Sequence, residues 1–111
     1  MSVPAPLRTF APAIARVLER HPDLLHAVNR RERPGRDALL AETRALADAA
    51  LVERDTDAMA AGLRRIKYRV VGALILDDLE GGPPLVDAVG ATLADLADAL
   101  LDGALRYARG S

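Results

Sequence analysis

Residues 55–79 constrain the fold of this chain more than any other stretch. Apolar side chains recur there at steps of three and four residues, which places them on one face of an α-helix. These residues are Met59, Leu63, Ile66, Val70, Ala73 and Leu74. The first half has a basic outer face, whereas the second half is apolar nearly all round. The pattern therefore predicts one long helix that begins at a solvated, basic end and finishes in a core.

Both ends of this predicted helix carry sequence signals. Asp55 or Thr56 is suited to be the N-cap, and the sequence Gly-Gly-Pro-Pro at 81–84 stops the run. One alternative stays open, a β-strand over 70–76, because a short apolar run cannot be assigned by periodicity alone. The helical pattern that leads into this run favours the helix.

Composition and periodicity extend the helical prediction to the rest of the chain. Hydrophobic residues make up 50% of the sequence and aromatic residues only 3%, so Ala, Leu and Val must provide most of the packing. Two short helices meet at His21-Pro22, where the proline forces a break. A third helix is predicted over about 36–52, with Leu39, Leu40, Leu46, Ala47, Ala50 and Leu51 along its apolar stripe.

A final long helix repeats apolar residues in a rhythm close to a heptad. Its predicted seam consists of Leu85, Val89, Leu93, Leu96, Leu100, Gly103 and Tyr107. Because a short turn joins it to the central helix, the two should pack as an antiparallel hairpin of about 56–80 and 84–109. We therefore expect an all-α bundle of about five helices, with an extended lead-in over 1–9 and one helical domain over 10–109.

Charge and composition argue against several classes of protein. Fifteen basic and 16 acidic residues give the 111-residue chain a net charge of -1, so nucleic-acid binding is not expected. The absence of cysteine excludes disulfide and thiol chemistry. The N-terminus lacks the apolar segment of a signal peptide, and no run approaches the length of a membrane span. We expect a cytoplasmic protein that does not associate with membranes.

A basic cluster on the central helix is the main candidate binding site. It consists of Arg64, Arg65, Lys67 and Arg69. Arg65 and Arg69 are like charges one helical turn apart, which is unfavourable unless an acidic group lies nearby. A phosphate or the carboxylates of a partner protein would supply that group. The alternative is a solvated helix face whose arginine stems cover apolar surface.

The acidic residues and histidines do not form a pattern typical of a metal site or an acid-base pair. Asp95, Asp98 and Asp102 share a stripe, but it points away from the apolar seam, and Asp102 can pair with Arg106. The spacing of Asp55 and Asp57 resembles a magnesium motif, but a helix cap explains it better. The remaining candidates are Asp77 and Asp78, expected to meet arginines, and His21 and His26, which lack zinc-ligand spacing. We therefore expect no metal and no catalytic residue.

Three segments together resemble one protein family. The sequences LRRIKYRVVGALILDDL at 63–79, LADLADALLDGAL at 93–105 and PAIARVLERHPDLL at 12–25 are similar to helices of the bifunctional glutamine synthetase adenylyltransferase/adenylyl-removing enzyme family. Their order and intervals agree over about 10–107. The chain departs from the family pattern at Ala73 and Asp77, where arginine is usual, at Ile66, which replaces an aromatic residue, and at Tyr68, which replaces a basic residue.

The resemblance implies a helical, non-catalytic module linked to nitrogen assimilation. In the family, a nucleotidyltransferase domain with Gly-Lys-Leu-Gly-Gly and Ser-Asp-x-Asp motifs binds ATP and magnesium and follows these helices, and this chain stops before it. No cofactor and no activity are therefore expected of the chain alone. Glutamine synthetase or a separate nucleotidyltransferase domain is the implied partner. The alternative is a free-standing interaction or regulatory protein that forms a homo-oligomer or binds another protein.

Overall fold

The structure, a computed structural model, describes residues 3–79 and 86–110. These residues form six helices, and no strand occurs among them. The helices are α1 (Ala5–Phe10), α2 (Pro12–Arg20), α3 (Pro22–Asn29), α4 (Arg36–Glu53), α5 (Thr56–Leu79) and α6 (Val86–Gly110). The all-α prediction is confirmed, and the alternative of a strand over 70–76 is wrong because α5 continues through it.

The N-terminal segment differs from the predicted extended lead-in. Helix α1 occupies 5–10, so the prediction is wrong for 5–9. Pro6 is accommodated in the first helical turn, where a missing N–H costs nothing. Leu7 is fully buried and packs with Leu18 in the core. A helix of six residues has too few apolar positions to show periodicity, and its stability comes from this tertiary contact.

The breaks between helices follow the sequence signals. His21 ends α2 and is also the residue before α3, which starts at Pro22 as predicted. Arg54 ends α4 in a left-handed conformation with φ 53°, and Asp55 then caps α5 by accepting a hydrogen bond of 2.9 Å from the Ala58 N–H. This tight connection makes α4 and α5 antiparallel neighbours. Their contacts show this arrangement, since Leu46 lies against Gly62 and the earlier residue Glu42 lies against the later residue Arg69.

Helix α5 is shared by the two halves of the core. On one side Leu76 packs with α1, α2 and α3, in a cluster that includes Leu18 and Val28. On the other side α5 contributes to a cluster between α4 and α6, made of Leu39, Ile66, Val70, Leu74, Leu96 and Ala99. This double role explains why the second half of the helix is apolar nearly all round.

Helix α6 packs most extensively against α4 and to a smaller extent against α5. It runs parallel to α4, because residues earlier in α6 pair with residues earlier in α4. Asp98 pairs with Arg36 at the start of α4, and Arg106 pairs with Asp48, which lies about one and a half helical turns before the end of α4. Gly103 allows the close approach, because a Cβ atom there would lie 2.8 Å from the Cβ of Thr43. The predicted pairing of α6 with α5 is present, but α4 covers the larger part of the α6 seam.

The predicted seam of α6 holds for five of its seven residues, which are buried or half-buried. Leu96 and Gly103 are buried, and Leu100 and Tyr107 are half-buried. Leu93 is 42% exposed, so its assignment to the buried seam is wrong. Val89 is half-buried, and Leu85 lies outside the described residues. Within 3–79 and 86–110, no helix combines the length and the apolar character that crossing a membrane requires.

A candidate cationic groove and the faces around it

The four residues of the predicted basic cluster have different surroundings. Arg69 donates two hydrogen bonds of 2.7 and 2.5 Å to the carboxylate of Glu42 on α4, and its side chain is only 17% exposed. The hydrogen bond to Glu42 raises the pKa of the Arg69 guanidinium further above its ordinary value. This bidentate ion pair joins α5 to α4 and accounts for Arg69 within the fold.

The other three residues of the cluster are exposed. Among the residues that the structure describes, no carboxylate lies within 4.0 Å of Arg64, Arg65 or Lys67. Arg64 and Arg65 line a groove with a volume of about 250 Å³, and Lys67 lies outside it. The structure therefore separates the cluster into a structural ion pair, two groove residues and one cation on the neighbouring surface.

We call this feature the cationic groove. It lies where the end of α2 meets the first half of α5, and it is lined by Val17, Arg20, His21, Ala61, Arg64, Arg65 and Tyr68. Arg20 is exposed and, like Arg64 and Arg65, has no carboxylate within ion-pair distance in the described part of the chain. Three guanidinium groups thus share one small concave surface, an arrangement that is electrostatically unfavourable in the absence of an anion.

Local sequence explains how α2 and α5 place these side chains. Pro22 ends α2 and fixes Arg20 and His21 at the junction. On α5, Tyr68 lies one turn after Arg64, so both reach the same surface. Sequence reasoning missed Arg20 and His21, because only the packing of α2 and α3 on α5 brings them to the cluster. It also missed Tyr68, although the four-residue step from Arg64 on the same helix was a signal that could have found it.

Acidic groups lie on the other side of Arg65. A second cavity, of about 210 Å³, is lined by Asp23, Leu24, Glu42, Leu46, Gly62, Arg65, Ile66 and Arg69. Arg65 therefore lies between the cationic groove, whose lining contains no acidic residue, and a cavity lined by both acidic and basic residues. The carboxylates of the second cavity belong to Asp23 and Glu42, and Glu42 is paired with Arg69.

The acidic stripe of α6 forms ion pairs with α4. Arg36 donates a hydrogen bond of 2.7 Å to Asp98, Arg44 one of 2.9 Å to Asp102, and Arg106 one of 2.7 Å to Asp48. The hydrogen bond from Arg44 lowers the pKa of Asp102, and that from Arg106 lowers the pKa of Asp48. These cross-helix pairs replace the predicted pairing of Asp102 with Arg106 within α6. Asp95, the third acid of the stripe, is half-buried.

The remaining acidic and histidine candidates do not come together in one site. Asp77 meets Arg31 at 3.6 Å and also pairs with Arg33, as expected for an acid at a helix C-terminus. The side chain of Asp78 lies outside the described residues. His21 lines the cationic groove, whereas His26 lines a different cavity. No group of three or more acidic or histidine side chains suited to a metal ion occurs within the described ranges.

Helix α6 also presents an exposed apolar face, which we call the α6 face. It consists of Leu93, Leu101 and Leu105, whose exposed fractions are 42%, 60% and 43%, together with the exposed Ala94, Ala97 and Ala108. These residues are spaced at one- and two-turn intervals and so form a continuous stripe. Such a stripe is typical of a helix that packs against another molecule.

Comparison with known proteins identifies the family. The model of the glutamate-ammonia ligase adenylyltransferase family matches residues 5–110, which is nearly the whole chain and includes every helix described above. No curated protein and no solved structure matches the chain. The matched region contains both the α5 basic cluster and the α2–α3 junction that completes the cationic groove. The chain therefore belongs to the glutamate-ammonia ligase adenylyltransferase family.

Proposed function

We propose that this chain is a non-catalytic helical module of the glutamine synthetase adenylylation system, and that it docks onto glutamine synthetase. In this proposal the transfer chemistry, with its ATP and magnesium, belongs to a nucleotidyltransferase domain. The module acts by contact and so contributes to the control of nitrogen assimilation. Family membership over residues 5–110 supports the link to glutamine synthetase.

Two features support the non-catalytic part of the proposal. The sequence contains neither the Gly-Lys-Leu-Gly-Gly motif nor the Ser-Asp-x-Asp motif expected of the nucleotidyltransferase domain. The pair Asp55 and Asp57, which has metal-motif spacing, starts α5, and one oxygen of Asp55 accepts the Ala58 N–H as a helix cap. A phosphoryl or nucleotidyl transfer site needs acidic groups that converge on metal ions, and a helix start does not provide them.

The docking part rests on the exposed cations of α5. Arg64, Arg65 and Lys67 project from a single turn of α5 and have no acidic partner among the described residues. Elsewhere in the same structure arginines meet carboxylates, as in the pairs of Arg44 with Asp102 and Arg69 with Glu42. An acidic surface on glutamine synthetase would remove the repulsion among these cations and accelerate association.

Charge reversal tests the docking role. The double variant Arg64→Glu/Arg65→Glu should lose binding to glutamine synthetase at low salt, as measured by biolayer interferometry with the synthetase immobilised. The control Arg54→Glu/Arg109→Glu makes the same change in net charge at two exposed arginines that belong to neither α2 nor α5, and it should bind like the parent chain. Equal binding by all three proteins, or none by the parent chain, would refute docking. Binding of the parent chain to a nucleotidyltransferase domain instead would identify that domain as the partner.

A second candidate function, self-association, is favoured by the α6 face. Leu101 is 60% exposed in the middle of a stripe rich in alanine, and small residues let two helices approach closely. A chain that pairs through this stripe would be a free-standing interaction or regulatory protein that forms a homo-oligomer.

Sedimentation equilibrium tests this second candidate. The parent chain should sediment as a dimer at micromolar concentration and Leu101→Gln as a monomer, since a buried glutamine in an apolar interface would lack partners. Val52 is 80% exposed and lies on α4 outside the stripe, so Val52→Gln is a matched control that should remain dimeric. A monomeric parent chain would eliminate self-association.

A further inference from the structure

We propose that the cationic groove binds a phosphate group, either as inorganic phosphate or as the monoester of a small molecule. The proposal concerns the groove formed by Arg20, His21, Arg64, Arg65 and Tyr68, and not the whole basic surface of α5. It goes beyond docking onto glutamine synthetase, because it concerns a small-molecule ligand that the chain binds on its own.

The first argument is the unbalanced charge of the groove. Arg20, Arg64 and Arg65 come from two helices and converge on a cavity of about 250 Å³ without a carboxylate within ion-pair distance among the described residues. A bound dianion would convert this mutual repulsion into charge-assisted hydrogen bonds. Guanidinium groups present planar pairs of donors that match the oxygens of a phosphate.

The second argument is the local chemistry of the groove. Val17 and Ala61 provide apolar wall, which reduces the competing solvation of a bound ion and strengthens its interaction with the arginines. Tyr68 adds a hydroxyl donor one turn after Arg64. His21 lines the groove and makes no side-chain cap hydrogen bond to α3, so its imidazole N–H can serve as a further donor to a bound ion.

Size and overall charge favour a small ligand over a polyanion. The chain has a net charge of -1, and Asp23 and Glu42 line the neighbouring cavity on the other side of Arg65. A nucleic acid requires an extended basic surface along its backbone, and these acids interrupt any such surface. A single phosphate needs only the groove.

Isothermal titration calorimetry of the full chain at low ionic strength tests the proposal. Inorganic phosphate and ribose 5-phosphate are titrated separately, with acetate as a control for nonspecific anion binding. We expect saturable 1:1 binding of at least one phosphate compound and none of acetate. The compound that binds more tightly identifies the source of the phosphate group.

Variants locate the site. Arg64→Gln and Arg20→Gln should each weaken phosphate binding roughly tenfold, because each removes a charge-assisted hydrogen bond. Lys67→Gln removes a charge from the same helix outside the groove and should change the affinity less than about twofold. All three side chains are exposed, and circular dichroism would verify that the variants fold. Absence of saturable phosphate binding, acetate binding of equal strength, or equal weakening by Lys67→Gln would each overturn the proposal.

Discussion

Arg65 and Arg69 lie on successive turns of α5, yet the structure gives them different roles. Arg69 is largely buried and held by both oxygens of Glu42, whereas Arg65 is exposed and borders two cavities. The sequence shows two equivalent cations, because their difference depends on where α4 places Glu42. Burial and partner, rather than residue type, decide whether an arginine of this helix is structural or available for binding.

Removal of the Arg69 side chain should therefore destabilise the protein. Arg69→Gln leaves the half-buried Glu42 carboxylate without its bidentate donor, and the partial exposure of Glu42 limits the loss to about 1–2 kcal/mol. Urea unfolding followed by circular dichroism measures it. Arg65→Gln is the matched control, with an expected change within about 0.5 kcal/mol. Equal effects of the two substitutions would contradict the assigned roles.

Gly103 is the residue at which α4 and α6 come closest. A Cβ atom there would lie 2.8 Å from the Thr43 Cβ and 3.2 Å from the Thr43 carbonyl oxygen, and that backbone atom has little freedom to move. Gly103→Ala should reduce the free energy of unfolding by about 1–3 kcal/mol despite the better helix propensity of alanine.

Gly90 provides the control for this prediction. It lies on the same helix, and an added Cβ would meet no atom of the described residues within 4 Å, so Gly90→Ala should stabilise the protein by up to about 1 kcal/mol. Thermal unfolding of both variants gives the comparison. A Gly103→Ala variant as stable as Gly90→Ala would show that the helices are farther apart than described.

At the scale of elements, the sequence predicted helix positions better than helix partners. Prolines, caps and apolar periodicity are local signals, and they located α3, α4 and α5 to within a residue or two at most ends. The partner of α6 depends on how one apolar stripe divides between two neighbouring helices. Leu96 and Gly103 are compatible with packing on α5 alone. The larger contact with α4 is visible only in the structure, in the fit of Gly103 against Thr43 and in the ion pairs between the two helices.

The ion pairs between α4 and α6 should make stability depend on pH. Asp48 and Asp102 have folded pKa values below the ordinary 3.8, so each stabilises the fold above that pH and loses its contribution as the pH falls through the folded pKa. The parent chain should therefore lose stability between about pH 5 and pH 2.

Replacement of both carboxyls isolates this effect. In Asp48→Asn/Asp102→Asn the loss of stability over the same acidic range should be smaller, as measured by urea midpoints at each pH. Glu53→Gln removes an exposed carboxyl of α4 with no ion pair in the described structure and should leave the pH dependence as in the parent chain. An unchanged pH dependence in the double variant would show that the pairs contribute nothing.

At the scale of the whole molecule, the candidate site is assembled from segments far apart in sequence. Arg64 and Arg65 could be predicted because they share one helix face. Arg20 and His21 could not, since their approach to α5 depends on the core cluster in which Leu18 and Leu25 pack with Leu76. Periodicity identifies the apolar face of each short helix but not the helix against which it packs.

Transfer of labelled AMP from ATP to glutamine synthetase, with magnesium and this chain as the only candidate enzyme, tests the claim that the module acts by contact alone. We predict incorporation no greater than in the reaction without the chain. Incorporation that depends on the chain would contradict this claim. Its loss in Asp55→Asn/Asp57→Asn would show that the acidic pair at the start of α5 is catalytic.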